Sequence, residues 1–154
     1  GRIILLKSIV QEEDSFDIWK FKPTRPVEQK HLYIKTALIE SSTDLIYKLI
    51  KIQEDDQLIK ENNYSIEFLS SQLAVPKSHL IYLFNYHCTY RGNDYINLIK
   101  VLKAQRFLKA GYLEHKTIES LAQECNFNSR ITFFKNFKKE TGVSPSEFNV
   151  NLTV

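Results

Sequence analysis

An all-α fold is what the sequence predicts: two helix-turn-helix subdomains joined by a long central helix, with a short irregular N-terminal appendage. Three observations lead there. Gly and Pro number only four each in 154 residues, too few for a β-rich chain that must turn often. From Val27 onward, apolar residues recur at spacings of three and four, the period of a helix face. After Asn63 the chain is cut into short helical stretches by clear caps and breakers, and the pattern of these stretches occurs twice.

Taken in order, residues 1–26 are the least regular. Phe16-Asp17-Ile18-Trp19-Lys20-Phe21 partly alternates and runs into Pro23 and Pro26, so a short strand or extended linker is expected. Leu32, Ile34, Leu38 and Ile39 then take up helical spacing until Ser41-Ser42 interrupts. Thr43 is expected to cap one helix whose stripe is Leu45, Ile46, Leu49, Ile50 and Ile52, closed by Glu61-Asn62-Asn63. Ser65 caps Ile66–Leu73, and Pro76 opens a helix carrying Leu80, Leu83 and Phe84. A long helix should run from about Asp94 to Lys109 and stop at Gly111. Thr117 caps Ile118–Cys125, and Asn126 suits a left-handed turn position. Asn128-Ser129 caps Arg130–Glu140, which stops at Gly142. Ser144-Pro145-Ser146-Glu147 is a capping box with Pro in the first helical position.

The repeat is concrete. Leu69 and Val75 lie 52 residues before Leu121 and Phe127, while Leu80, Phe84, Asp94 and Tyr95 lie 53 before Phe133, Phe137, Glu147 and Phe148. One extra residue in the second copy accounts for the slip. Each copy reads as helix, tight turn, helix, then an acid–aromatic start to another helix. Two copies and one connecting helix make a seven-helix arrangement.

The second copy, Ile118-Glu119-Ser120-Leu121-Ala122-Gln123-Glu124-Cys125-Asn126-Phe127, continues to Phe133, Phe137-Lys138-Lys139 and Thr141-Gly142-Val143-Ser144-Pro145-Ser146-Glu147-Phe148. This run resembles the C-terminal motif of the AraC/XylS family of transcription regulators almost end to end. The resemblance covers about residues 64–148, with residues 43–62 standing for the family's first helix. It implies a sequence-specific DNA-binding regulator, an activator by the family's common habit, with recognition helices in two adjacent major-groove segments. The expected domains are an N-terminal remnant or linker (1–42), a DNA-binding domain (43–148) and a tail (149–154). Within the DNA-binding domain, unit one takes about 43–92, the bridging helix 94–109 and unit two about 117–148. Double-stranded DNA is the implied partner; contact with RNA polymerase and dimerisation of the full-length protein stay open. A cytoplasmic location follows, with membrane tethering through an upstream part as an open alternative.

A helix-turn-helix sets the outer face of its second helix in a major groove, and the rear face must be apolar. Leu80, Leu83 and Phe84 form that rear face in unit one, Phe133 and Phe137 in unit two. In unit two, Asn128, Ser129, Arg130, Thr132, Lys135 and Asn136 lie off the apolar stripe and carry groups that pair with base edges and phosphates. The resemblance sends Arg130 and Lys135 into the groove, with Arg130 as candidate for a two-pronged guanine contact. Lys138, with Lys139, suits phosphates. Unit one departs from the pattern: Ala74 stands for the usual turn glycine, Pro76 for the usual Ser cap, and the loop Thr89–Asn93 lacks the family's Ser-Pro. Lys77 and Ser78 remain candidate contacts, Ile81 could meet a thymine methyl, and Tyr82 could hydrogen-bond a base or phosphate. Whether unit one reads bases is left open.

Composition narrows the alternatives. Residues 64–148 hold eleven basic against seven acidic side chains, and residues 1–63 ten against eleven, so the basic excess sits with the repeats. Cys88 and Cys125 are far apart and are expected as free thiols. The four histidines (His31, His79, His87, His115) show no metal-binding spacing, so no metal and no cofactor is expected. His79 reads as a partly buried histidine. His87 and Cys88 are adjacent and would point about 100° apart on a helix, so no enzyme is expected. No Met occurs, position 1 included, as expected for a piece of a longer protein. The rival to DNA binding is a protein-interaction module with the same fold, motivated by Ile81, Tyr82 and Phe134 on nominally outward positions together with the modest net charge of +3. Such a module would show an apolar patch where a DNA reader shows a positive surface.

Overall fold

The computed structural model describes residues 18–61 and 63–152. The expectations for residues 1–17, Asn62 and residues 153–154 lie outside that range. Among the described residues the regular secondary structure is helical. A 3-10 turn (Gln29–His31) leads into α1 (Leu32–Ala37), followed by α2 (Ser42–Gln53), α3 (Asp56–Glu61), α4 (Ile66–Leu73), α5 (Lys77–His87) and α6 (Gly92–Lys109). After a second 3-10 turn (Tyr112–Glu114) come α7 (Ile118–Glu124), α8 (Arg130–Thr141) and α9 (Pro145–Asn151). The all-α fold with a long central helix is therefore present. The extended N-terminal stretch is reduced to one antiparallel bridge, Trp19 with Cys88.

Two expectations about the early helices are corrected. The stretch after Ser42 is two helices, not one, because Asp55 Oδ1 accepts the N–H groups of Gln57 and Leu58, both at 3.1 Å, and so starts α3 afresh. Thr43 is not a cap. The N–H groups of Ser41 and Ser42 bond back to the Leu38 carbonyl at 3.1 and 2.9 Å, so the chain is already turning before Thr43 and the helix starts at Ser42. Further on, α6 begins at Gly92, two residues before the expected Asp94. Gly92 takes φ +46°, a left-handed value that a side chain disfavours. The caps predicted at Ser65, Thr117, Ser129 and Ser144 each accept the N–H three residues on, at 3.0–3.1 Å.

Two apolar cores share the central helix. The first gathers α2 to α5 around Ile46, Leu49, Leu69, Leu80 and Phe84, together with Tyr95, Leu98 and Leu102 of α6. The second joins Leu121, Phe133, Phe137 and Phe148 to Val101, Ala104 and Leu108 of α6. This division explains why α6 is buried around most of its circumference: its first half serves one core and its second half the other. Ile18, Trp19, Ile34 and Leu38 belong to the first core, so the N-terminal segment is packed onto unit one.

Polar ties fix one unit against the other. The Lys103 side chain is 1% exposed, and its ammonium donates to the carbonyls of Asp56 (2.9 Å) and Glu124 (2.6 Å), with the Glu124 carboxylate at 3.5 Å. Lys60 pairs with the same carboxylate at 2.7 Å, which holds the Glu124 carboxyl below its ordinary range against the opposing effect of burial. The Asn126 amide donates to the Ile59 carbonyl at 2.8 Å. At the other end of α8, the Tyr90 hydroxyl donates to buried Glu140 at 3.1 Å, and burial keeps that carboxyl above its usual range.

The turns inside the two units match. Ala74 (φ 54°) and Asn126 (φ 63°) are left-handed. In each, the next residue's N–H reaches back to close the preceding helix: Val75 to Ser70 at 3.1 Å, Phe127 to Ala122 at 2.9 Å. Asn tolerates this region, but an alanine there is strained by about 1–2 kcal/mol. Ala74 is exposed, so its methyl has little packing to lose. Ala74→Gly should therefore stabilise the chain by about 1 kcal/mol despite glycine's greater unfolded-state freedom. A thermal melt should move up by about 2–4 °C; a lower melting temperature would contradict the strain.

Candidate nucleic-acid interface

The site is built from the second helix of each unit. In unit two, Phe133 and Phe137 are fully buried, which fixes the rotation of α8 and turns the opposite side outward. Asn128, Ser129, Arg130, Thr132, Lys135 and Lys138 are all exposed there, while Asn136 is half-buried. Asn136 spends its amide on the Thr132 carbonyl of its own helix at 2.9 Å. Ser129 accepts the Thr132 N–H at 3.1 Å, so its hydroxyl serves the helix start. Lys139 reaches Asp94 at 3.2 Å, a tie between α8 and α6.

Arg130 is held from behind. Its guanidinium meets Glu119 of α7 at 2.7 Å and lies 4.9 Å from the Phe134 ring centroid. Both members of the ion pair are more than half exposed (56% and 57%), so the pair is weak, on the order of 0–1 kcal/mol. Unit one repeats it: Lys77 meets Glu67 of α4 at 2.6 Å. Lys77 and Arg130 are 53 residues apart and Glu67 and Glu119 are 52 apart, so the ion pair belongs to the repeat. The sequence reading gave these two acids no pairing role, although the repeat offset was sufficient to find it.

It also missed Ile131. That side chain is 81% exposed in the first turn of α8, one helical turn before Lys135 and two before Lys138. It therefore stands on the same outward row as Lys135 and Lys138. Choosing residues by polar chemistry alone passed over it; choosing by face would have included it. Phe134, expected outward, is half-buried and packs on the second core.

Unit one differs on its outward face. Lys77 and Ser78 are exposed, and Ile81 is 42% exposed. Tyr82 is corrected: at 3% exposure it does not offer its ring to a groove. The physical reason is the N-terminal segment, which lies along α5. The Lys20 N–H bonds to the His87 carbonyl at 2.7 Å and the Thr24 N–H to the Tyr86 carbonyl at 2.8 Å. Tyr82 is packed against Tyr86, with ring centroids 4.8 Å apart, and lines one cleft with His31, Tyr33 and Ile34. His87 is buried too; its Nδ1 faces the Lys20 carbonyl at 2.8 Å, and burial lowers its pKa. His79 is half-buried.

Cys88 and Cys125 are buried free thiols, both pushed up to about 12 by burial, the opposite of an activated nucleophile. Among the described residues no group of His, Cys, Asp and Glu could hold a metal ion.

Comparison with known proteins agrees with the geometry. The family model described as "Helix-turn-helix domain" matches residues 69–150, more than half of the chain. An uncharacterized HTH-type transcriptional regulator of Escherichia coli strain K12, YpdC, is 27% identical over 93 residues. That stretch is 58% of this chain and 32% of YpdC, so the chain spans about a third of this relative's length. No solved structure matches. With two capped helix-turn-helix units on one central helix and a family match across both recognition helices, the chain belongs to the AraC-type helix-turn-helix family of DNA-binding transcription regulators.

Proposed function

We propose that this chain is the DNA-binding part of a transcription regulator whose unit two enters a major groove through α8. The observation that carries this reading is the exposed row Ile131, Lys135 and Lys138, which rises from a helix start capped by Ser129. Lys135 and Lys138 serve phosphates or guanine edges, Ile131 a thymine methyl, and Asn128 and Thr132 the flanking polar contacts. Arg130 reaches a guanine by leaving Glu119, a weak partner. Ser129 and Asn136 support the helix and contribute secondarily. In unit one, Lys77 and Ser78, exposed in the first turn of α5, are within reach of phosphates. We take residues 43–148 as the DNA-binding region. An activating role, polymerase contact, dimerisation of the full-length protein and a cytoplasmic location follow the family resemblance. Among the described residues, no helix is long and apolar enough to cross a membrane.

The interaction-module alternative loses two of the three residues that motivated it, since Tyr82 is buried and Phe134 is half-buried. The deciding experiment is fluorescence anisotropy of the full chain on random-sequence duplex DNA across a salt series. Three or four cations on phosphates give a log–log slope of about −3 to −4. Binding without salt dependence, or none at about 50 mM salt, would overturn the reading.

A further inference from the structure

Each recognition helix has a groove-facing row, and the repeat allows the two rows to be compared position by position. At an offset of 53, Ser78, Tyr82, Asn85 and Tyr86 correspond to Ile131, Lys135, Lys138 and Lys139. The three lysines of unit two are exposed. Their counterparts in unit one are covered: Tyr82 is 3% and Tyr86 0% exposed, and Asn85 is half-buried.

What covers them is the chain's own N-terminal segment. Arg25 lies over the Tyr86 ring with its guanidinium carbon 4.3 Å from the centroid. The Glu28 N–H donates to the Tyr86 hydroxyl at 3.2 Å, and His31 Nδ1 meets the same oxygen at 2.7 Å. Thr24 bonds the Tyr86 carbonyl, and buried Ile34 shares a cleft with Ser78, Ile81, Tyr82 and Asn85. Residues 20–34 thus form a strap along the outer, later half of α5. A major groove about 12 Å wide accepts one α-helix, whose diameter with side chains is about 10–12 Å. A helix with further chain laid along its outward row exceeds that width.

Resting on the DNA-binding reading above, we propose that the strap of residues 20–34 and DNA exclude each other on the α5 recognition face. In the strapped chain, unit two alone enters a groove and unit one only braces it. Release of the strap opens a second groove contact about 10 bp away. The device is an intramolecular competitor: its contacts with Tyr86 set how often unit one is open, and apparent affinity falls with that fraction.

The test uses the full chain and a variant, Arg25→Ala/His31→Ala/Ile34→Ser, on a duplex selected by the full chain from a random pool. Hydroxyl-radical footprints count the protected groove segments. Hydrogen exchange at the Lys20, Thr24 and Glu28 amides reports whether the strap is seated. The native chain should protect one segment with these amides slow, and Ile81→Asp should change its affinity less than about twofold. In the variant, the amides should exchange faster, protection should extend to a second segment, and Ile81→Asp should weaken binding tenfold or more. Two protected segments with strap amides as slow as in the free protein would overturn mutual exclusion. So would a variant with a loosened strap that still protects one segment. A variant whose amides stay slow would overturn the role given to these three contacts. If neither protein protects any DNA, the DNA-binding reading itself fails and this inference fails with it.

Discussion

Lys135→Glu is expected to weaken binding of the full chain to duplex DNA about 100-fold at moderate salt, with no loss of helical structure. Lys135 is exposed, so the fold does not depend on its charge. A charge-assisted hydrogen bond contributes about 1.5–3 kcal/mol, and reversing the sign adds repulsion from phosphates. Tenfold in affinity is about 1.4 kcal/mol, so a combined loss near 3 kcal/mol gives the stated factor. Lys135→Ala should cost about tenfold and lower the salt slope by about 1. Arg130→Ala removes a side chain already paired with Glu119, so its loss on random DNA should be smaller than that of Lys135→Ala. The order should reverse on a duplex whose contacted base is guanine, because a two-pronged arginine–guanine contact is worth about 1–3 kcal/mol. Tyr82→Phe should leave affinity unchanged, since the ring is buried. A Lys135→Glu chain that binds like the native one would remove α8 from the interface.

The second large effect belongs to Lys103. Lys103→Met keeps the stem's volume and deletes the ammonium, leaving the partly buried carbonyls of Asp56 and Glu124 without the donor they share. An orphaned buried acceptor costs about 1–3 kcal/mol, so the loss should total about 3 kcal/mol. The Glu124 carboxylate keeps Lys60, which limits the damage to the carbonyls. The melting temperature should fall by about 6–12 °C for a chain of this size. Because those carbonyls sit in α3 of unit one and α7 of unit two, the denaturant transition should also broaden as the units lose their common tie. An unchanged melting temperature would mean that water replaces the ammonium without penalty.

The fold was legible where local chemistry and periodicity agreed. Ser65, Thr117, Ser129 and Ser144 cap their helices as read, and the 52–53-residue repeat located both recognition helices. The break at Asp55 escaped notice because the stripe from Leu45 to Ile52 is periodic enough to suggest continuation, and the two N–H groups that Asp55 Oδ1 accepts start a new helix. In the site, the polar first turn of α8 was readable because its rear face is marked by two phenylalanines. Tyr82 was misplaced for the converse reason: α5 offers apolar or aromatic groups on nearly every side, from Leu80 to Tyr86. Which side stays exposed depends on a segment more than fifty residues away. Such a contact has no local signature. The Arg25, Glu28 and His31 contacts with Tyr86 come from chain return, not from spacing.

Trp19 turns this arrangement into an optical instrument. It is the chain's sole tryptophan and stands immediately before the strap, 3% exposed, with its ring 5.6 Å from Phe84 and 5.5 Å from Tyr95. Excitation at the red edge of the aromatic band addresses this indole alone, free of the eight tyrosines. Blue-shifted emission belongs to the packed state, and a red shift reports that the root of the N-terminal segment has left the α5–α6 corner. Stopped-flow mixing could therefore follow detachment in the native chain in real time, without a label.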